Sequence, residues 1–320
     1  MKTRRGWTVV VVGIMVSLLI GVSPALTAAD YPTRSMDYVI PFGPGGGTDL
    51  TVRLYKDKVE KLLGQPIVMT YKPGAGGVIA GRYVKESKPD GYTLLVISTT
   101  NLLLSMLARK ADFALDDFIP ICTLTLSPII FAVMKDTPYK TMKDFTEAAK
   151  TKNMKYGTTG VYSPGHLYME AIGRLAGFKA TVVPIGGGAK AMAAVLGGHI
   201  DMSVVSPTGV ESQLRILAVN TVDRWEAYPD VPTLKELGYP VGLEGYFSLF
   251  APKGTPKEIV DKVYEAYKKV LEEDREEITK RVKSTHQVAR ILGPEALGKM
   301  TQGGYVFFKD MLSKMERPVN

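Results

Sequence analysis

Two glycine-rich turns, Pro41-Phe42-Gly43-Pro44-Gly45-Gly46-Gly47-Thr48-Asp49 and Lys72-Pro73-Gly74-Ala75-Gly76-Gly77, each follow a short apolar run and lead into a helix-like stretch. A chain that repeats strand, turn and helix builds a mainly parallel sheet whose loops gather at the strands' carboxyl ends. Bare N–H groups in such turns are donors to an anion, and a carboxylate is the expected guest. Around these turns, Tyr38-Val39-Ile40 reads as a strand, and Val52, Tyr55, Val59 and Leu62 recur on one helix face that Gly64 ends. Gln65 to Met69 and Thr93 to Ile97 read as the next two strands, with Pro89-Asp90-Gly91 turning into the latter.

The alternation restarts after Lys152. Lys155-Tyr156-Gly157 ends a strand, Tyr168, Ile172 and Leu175 mark a helix closed by Gly177, and Thr181-Val182-Val183 is a strand. Gly186-Gly187-Gly188 opens a helix through Leu196, followed by strands at Ile200 to Val205 and Leu214 to Val219. This is a second α/β unit of the same plan, without internal sequence repetition. The C-terminal part is helical: Thr255-Pro256-Lys257-Glu258 has the form of a capping box with proline at the first helical position, and Ile259, Val263, Ala266 and Val270 form its apolar stripe. Ile121 to Met134 and Gly245 to Ala251 are the candidate crossings between units, which would give a hinged pair with a cleft.

The first residues read as a secretory leader: Lys2, Arg4 and Arg5, an apolar run from Trp7 to Val22, and a small-residue exit at Thr27-Ala28-Ala29. That run is roughly sixteen residues, short of the roughly twenty needed to span a bilayer, so cleavage near Ala29 and an exported chain are expected. Cys122 is the single cysteine, which excludes an intramolecular disulfide, and its apolar surroundings make it a small buried hydrophobe. The formal charge of +8 includes the three leader cations. The basic stretch from Lys268 to Lys283 is interleaved with glutamates and reads as a solvated helix face rather than a nucleic-acid surface.

Candidate contacts follow from the turns. Thr48 and Asp49 stand where the first turn becomes a helix; either caps that helix, or the Thr48 hydroxyl joins the neighbouring N–H groups in holding an anion. Ser98-Thr99-Thr100-Asn101 supplies short polar donors after the third strand, and Thr158-Thr159-Gly160-Val161-Tyr162-Ser163-Pro164-Gly165-His166 does so in the second unit. The three glycines from Gly186 either admit a ligand to the backbone or make a tight turn, and Lys190 beyond them is either a partner for an acid or an exposed lysine. No Gly-Lys-Ser/Thr follows either glycine turn, and no dinucleotide fingerprint is present. A hydrolytic set of Ser163, His166 and Asp201 lacks the G-x-S-x-G elbow. His166, His199 and His286 are too scattered for a metal site, so no metal and no cofactor are expected.

In series, these stretches resemble the tripartite tricarboxylate transporter substrate-binding receptors, the Bug family. The matching pieces are Tyr31-Pro32-Thr33-Arg34, Pro41 to Asp49 with Arg53, Leu63-Gly64-Gln65-Pro66, Lys72 to Gly77, Pro89 to Leu95, Ser163-Pro164-Gly165-His166, Gly186 to Ala189, Leu196 to Asp201, Leu214 to Val219 and Pro229-Asp230-Val231-Pro232-Thr233. The resemblance implies a type II periplasmic binding protein fold with a ligand cleft between two lobes, residues 30–127 with 246–320 and residues 128–245, after a leader at 1–29. It also implies a receptor, not an enzyme, that captures a di- or tricarboxylate or an aromatic acid in the periplasm and, as a monomer, delivers it to membrane permease subunits. A sensor kinase in place of the permease, or a serine hydrolase built on Ser163 and His166, are the alternatives. Carried over, the contacts are Phe42, Gly46, Gly47, Thr48 and Asp49 from one lobe and Ser163, Gly165 and His166 from the other, then Ser98, Thr99, Gly187 and Asp201; Thr158, from the turn after the second unit's first strand, is added to them. The chain departs from the family pattern at Ile185, where an aromatic or arginine commonly precedes the glycines, and in its short connection from Ser206 to Leu214.

Overall fold

In chain order the first strands and helices of the computed structural model are β1 (Met36–Ile40), α1 (Gly47–Leu63), β2 (Ile67–Tyr71), α2 (Val78–Lys85), β3 (Thr93–Ser98), α3 (Thr99–Leu107) and β4 (Phe118–Leu126). A second series follows: β5 (Ile130–Met134), α4 (Met142–Thr151), β6 (Lys155–Thr158), α5 (Pro164–Ala176), β7 (Thr181–Pro184), α6 (Gly188–Leu196), β8 (Met202–Val205) and β9 (Leu214–Val219). The chain closes with β10 (Tyr246–Pro252), α7 (Lys257–Glu273), α8 (Arg275–Lys283), β11 (Val288–Ala289) and α9 (Pro294–Ser313). The structure describes residues 31–109, 111–186, 188–207, 212–239, 244–283 and 285–314. The expected leader and Gly187 therefore lie outside the described residues. Among the described residues no helix is long and apolar enough to cross a membrane.

Two sheets result, ordered β11-β4-β10-β3-β1-β2 and β7-β6-β8-β5-β9. The α/β type II architecture holds, but the sheets are mixed where the alternation predicts mainly parallel ones. β1 pairs parallel with β2 and β3, and β6 parallel with β7 and β8, as strand–helix–strand crossovers require. β10 instead runs antiparallel between β3 and β4, and β5 antiparallel between β8 and β9, because each is the first strand after the chain leaves the other sheet. The two passages lie side by side, with the Ser127 N–H donating to the Gly245 carbonyl at 2.7 Å.

Helices cover the sheets, so strand residues are buried on both faces. Along β5, Phe131 and Val133 pack with Phe145 and Ile172 of α4 and α5, whereas Ile130 and Ala132 pack with Ala191 and Val195 of α6. In the first sheet, Val39, Leu95, Ile97 and Phe250 share a core with Val84 of α2 and Leu297 of α9. Cys122 is buried on β4, and burial pushes its thiol far above the ordinary range.

Three local expectations are corrected. Val52, Tyr55 and Val59 are buried, but Leu62 stays 40% exposed and Leu175 of α5 64% exposed, because the sheet covers less than the full length of each helix stripe. The capping box at Thr255 does not form: its hydroxyl donates to the Pro252 carbonyl at 2.8 Å, and Pro256 is the N-cap of α7 with no side-chain cap. The predicted stripe Ile259, Val263, Ala266 and Val270 is nonetheless buried.

Candidate functional site

α1 starts without a side-chain cap. Its N-cap is Gly46, so Thr48 and Asp49 lie inside the first turn, and neither is the cap that their residue types suggest. Four N–H groups of a helix start have no intrahelical acceptor, and here no side chain is spent on them at the cap position. Thr48 is 1% exposed, and its hydroxyl has no partner. A buried hydroxyl left unpaired costs on the order of 1–3 kcal/mol, so its retention beside an uncapped helix end marks a place for an acceptor.

Asp49 points backward and braces the turn. One carboxylate oxygen accepts the Gly45 N–H at 3.0 Å and the Arg53 Nε–H at 3.0 Å, and the other accepts the Tyr71 hydroxyl at 2.5 Å. Burial works to raise its carboxyl, but the hydrogen bonds from Arg53, Tyr71 and Gly45 outweigh that and hold it below the usual carboxylate range. Gly47 is required for a different reason: a Cβ there would lie 2.7 Å from the Phe247 ring, which packs across the start of α1.

The second sheet contributes the start of α5. Ser163 is its N-cap and accepts the His166 N–H at 3.4 Å, while its hydroxyl also pairs with the Thr158 hydroxyl, fixing the turn to the end of β6. Gly165 lets α5 rest directly on β8, since a Cβ would meet the Val204 carbonyl at 2.1 Å. His166 Nδ1 accepts the Tyr162 N–H at 2.9 Å, so its proton sits on Nε2, 3.8 Å from a Glu170 oxygen. Burial, reinforced by Arg109, pushes this imidazole down to about 4.

A cavity of about 370 Å³ joins these pieces. Phe42, Gly46, Gly47, Thr48, Asn101 and Phe247 line it from the first sheet's side, and Thr159, Gly186, Gly188, Lys190 and Ser206 from the second's. A smaller one of about 50 Å³ shares Asn101, Thr159, Ser206 and Phe247, and adds Ser98, Ser127 and Gly165. Both lie at the carboxyl ends of β1, β3, β6 and β8, where open α/β sheets hold their ligands. A shallow depression of about 560 Å³ beside α4 and α5 is larger but is edged by Lys150, Lys152 and Lys179, and none of the glycine turns reaches it.

The remaining predicted contacts fall elsewhere. The Thr99 hydroxyl bonds to the Ser248 hydroxyl at 2.8 Å and is turned into the sheet. Ser98 lines the small cavity, with its hydroxyl shared with Thr100 at 2.8 Å. Asp201 sits at the amino end of β8, where its carboxylate accepts the Lys155 N–H at 2.7 Å; it ties two strand starts together at the edge opposite the cavity. The second glycine turn is explained by its backbone, since Gly74, Gly76 and Gly77 lie at φ 133°, 63° and 112°; the Arg109 guanidinium packs beside Gly76 and reaches on to the Val161 and Tyr162 carbonyls at 3.2 and 3.1 Å.

Ser127 and Phe247 face the cavities without having been placed among the predicted contacts, while Asn101 and Lys190, read as possible donors, line them too. Ser127 ends the first passage between sheets with a buried, unpartnered hydroxyl.

Hydrolysis has no machinery here. The Ser163 hydroxyl faces Thr158, and the His166 ring is occupied by the Tyr162 N–H, so among the described residues no base is bonded to the serine. Among the described residues no group of metal-ligating side chains is present.

Residues 51–281 match the model of the tripartite tricarboxylate transporter family receptor. The protein of the gbd 5′ region of Cupriavidus necator is 34% identical over 78% of this chain and 78% of its own. MatC of Rhodopseudomonas palustris, solved with bound malate, superposes with a TM-score of 0.78 at 28% identity over 88% of this chain and 100% of its own. A second R. palustris protein, solved with adipate, gives 0.80 at 26% identity over 89% and 98%. The chain belongs to the tripartite tricarboxylate transporter receptor family, whose members are solute-binding receptors rather than enzymes.

Proposed function

We propose that the chain is exported through a leader at residues 1–29 and captures a small carboxylate in the periplasm, delivering it to the membrane subunits of a tripartite transporter. Two lobes, residues 30–127 with 246–320 and residues 128–245, close on the acid. Its head group sits at the start of α1, where it accepts the Thr48 hydroxyl and the N–H groups that follow Gly46. The observation that carries this reading is the buried, unpartnered Thr48 hydroxyl beside an uncapped helix end on the cavity wall. Donors of this kind bind an anion without burying a full opposite charge, and the helix dipole adds to them. Dicarboxylates bound to two structural relatives, malate and adipate, support the ligand class.

Isothermal titration with malate, adipate and their shorter and longer analogues tests it. At least one acid binds the wild-type protein, and Thr48→Val weakens that acid about tenfold or more, the worth of one hydrogen bond to a charged acceptor. An unchanged affinity in Thr48→Val, or no acid bound by the wild type, overturns the assignment.

A further inference from the structure

Lys190 is the single charged side chain among the described residues lining the 370 Å³ cavity. It is exposed, and it makes no ion pair or hydrogen bond with the described residues. Its position in the first turn of α6 is the wrong one for helix stability. That turn carries no acidic residue, and a cation at the positive end of a helix costs a few tenths of a kcal/mol. Neither packing nor capping accounts for an ammonium there. The same placement strengthens the positive potential that the α6 N-terminus and Gly188 present to the cavity from the second sheet's side.

Opposite, the head-group donors at Thr48 belong to α1 on the first sheet's side. The cavity therefore has two electropositive ends of different make. One is built from main-chain amides and a hydroxyl nine-tenths buried and unpartnered; the other is a full, solvated cation. No lining carboxylate among the described residues neutralises either, since Asp49 is turned back onto Gly45, Arg53 and Tyr71.

Resting on the carboxylate-receptor reading above, we infer that Lys190 is the specificity residue for the ligand's far end, selecting acids that carry a second anionic group over singly charged acids of the same length. Lysine holds such a group as a point charge on a flexible stem, so it tolerates tails of several lengths and does not demand the planar geometry that an arginine would. Closing the two sides around the ligand excludes water and strengthens the pair, which makes the second charge favour the closed state.

The test compares each diacid with its half-amide, which keeps the shape and one acceptor oxygen while removing one charge: succinate with succinamate, and adipate with adipamate. Titrated into the wild-type protein, the better diacid binds about tenfold more tightly than its half-amide, the scale of one charge-assisted contact. Lys190→Gln closes that gap to about twofold or less, and Lys190→Arg keeps most of it. A gap that survives in Lys190→Gln overturns the inference while leaving the receptor reading intact, as does a wild-type protein that binds acid and half-amide alike. Failure of every acid and half-amide to bind removes the receptor reading and this inference with it.

Discussion

Replacing His166 by asparagine removes one titration from the fold while keeping the contact that holds the turn. An asparagine carbonyl oxygen occupies nearly the place of Nδ1, so the Tyr162 N–H, now 2.9 Å from that nitrogen, retains an acceptor. In the wild type the imidazole is buried and pushed down to about 4 from 6.5. The groups around it are Arg109, which opposes protonation, Glu170 at 3.8 Å, which favours it, and the rings of Tyr156 and Tyr162. As the pH drops below about 6.5 the unfolded chain takes up a proton that the folded chain refuses until about 4, so stability falls through that window. Linkage puts the loss between pH 7 and pH 4.5 at about 2 kcal/mol, complete only below the folded value. Urea unfolding at both pH values, read at constant slope, measures it. Carboxylate titration contributes equally to both proteins, so the wild type should lose about 2 kcal/mol more than His166→Asn. Parallel losses in the two proteins refute the claim that this ring is held neutral by burial.

Two further substitutions probe the walls of the site. Gly165→Ala drives a methyl group toward the Val204 carbonyl, 2.1 Å from the Cβ position; overpacking of this kind costs about 3 kcal/mol and lowers the melting temperature by several degrees, whereas an unchanged melting temperature would mean that α5 does not rest on β8. Asp49→Asn removes the charge that organises Gly45, Arg53 and Tyr71. Because Arg53 is 56% exposed, the ion pair adds little, and the loss is about 1–2 kcal/mol from the weakened hydrogen bonds. It is seen in urea unfolding at pH 7, with faster hydrogen exchange at the Gly45 amide, and it vanishes at pH values low enough to protonate the wild-type carboxylate. Equal stability at pH 7 would show the brace to be idle.

Much of the fold was legible because periodicity and punctuation are local. Gly64 ends α1 in the left-handed region, and the Leu214 to Val219 strand is found at its expected bounds. The antiparallel entry of β5 and β10 was not, since it depends on where a strand goes after leaving the other sheet, and nothing within the strand records that. The site divided the same way. Gly46, Gly47, Thr48 and Gly165 border the cavities, because a helix start just after a strand brings its own amides to the sheet edge. Thr99 was read from its place after a strand and Asp201 was carried over from the family resemblance, but Thr99 faces into the sheet and Asp201 lies at the amino end of its strand. The two glycine turns look alike on paper, yet the second holds Gly74, Gly76 and Gly77 at positive φ and reaches neither cavity.

A buried carboxylate one helical residue from an anion's proposed seat looks self-defeating, since like charges a few ångströms apart repel by several kcal/mol at low dielectric. The geometry resolves this. Asp49 has committed its oxygens to Gly45, Arg53 and Tyr71, so its charge is drawn toward the outer side of the turn and largely balanced by the guanidinium. What it leaves behind is order: with Gly45 tied down, the N–H groups after Gly46 and the Thr48 hydroxyl hold their directions before a ligand arrives. Donors aligned in advance bind without a further ordering cost, which is how a turn made mostly of glycine can hold an acid at all.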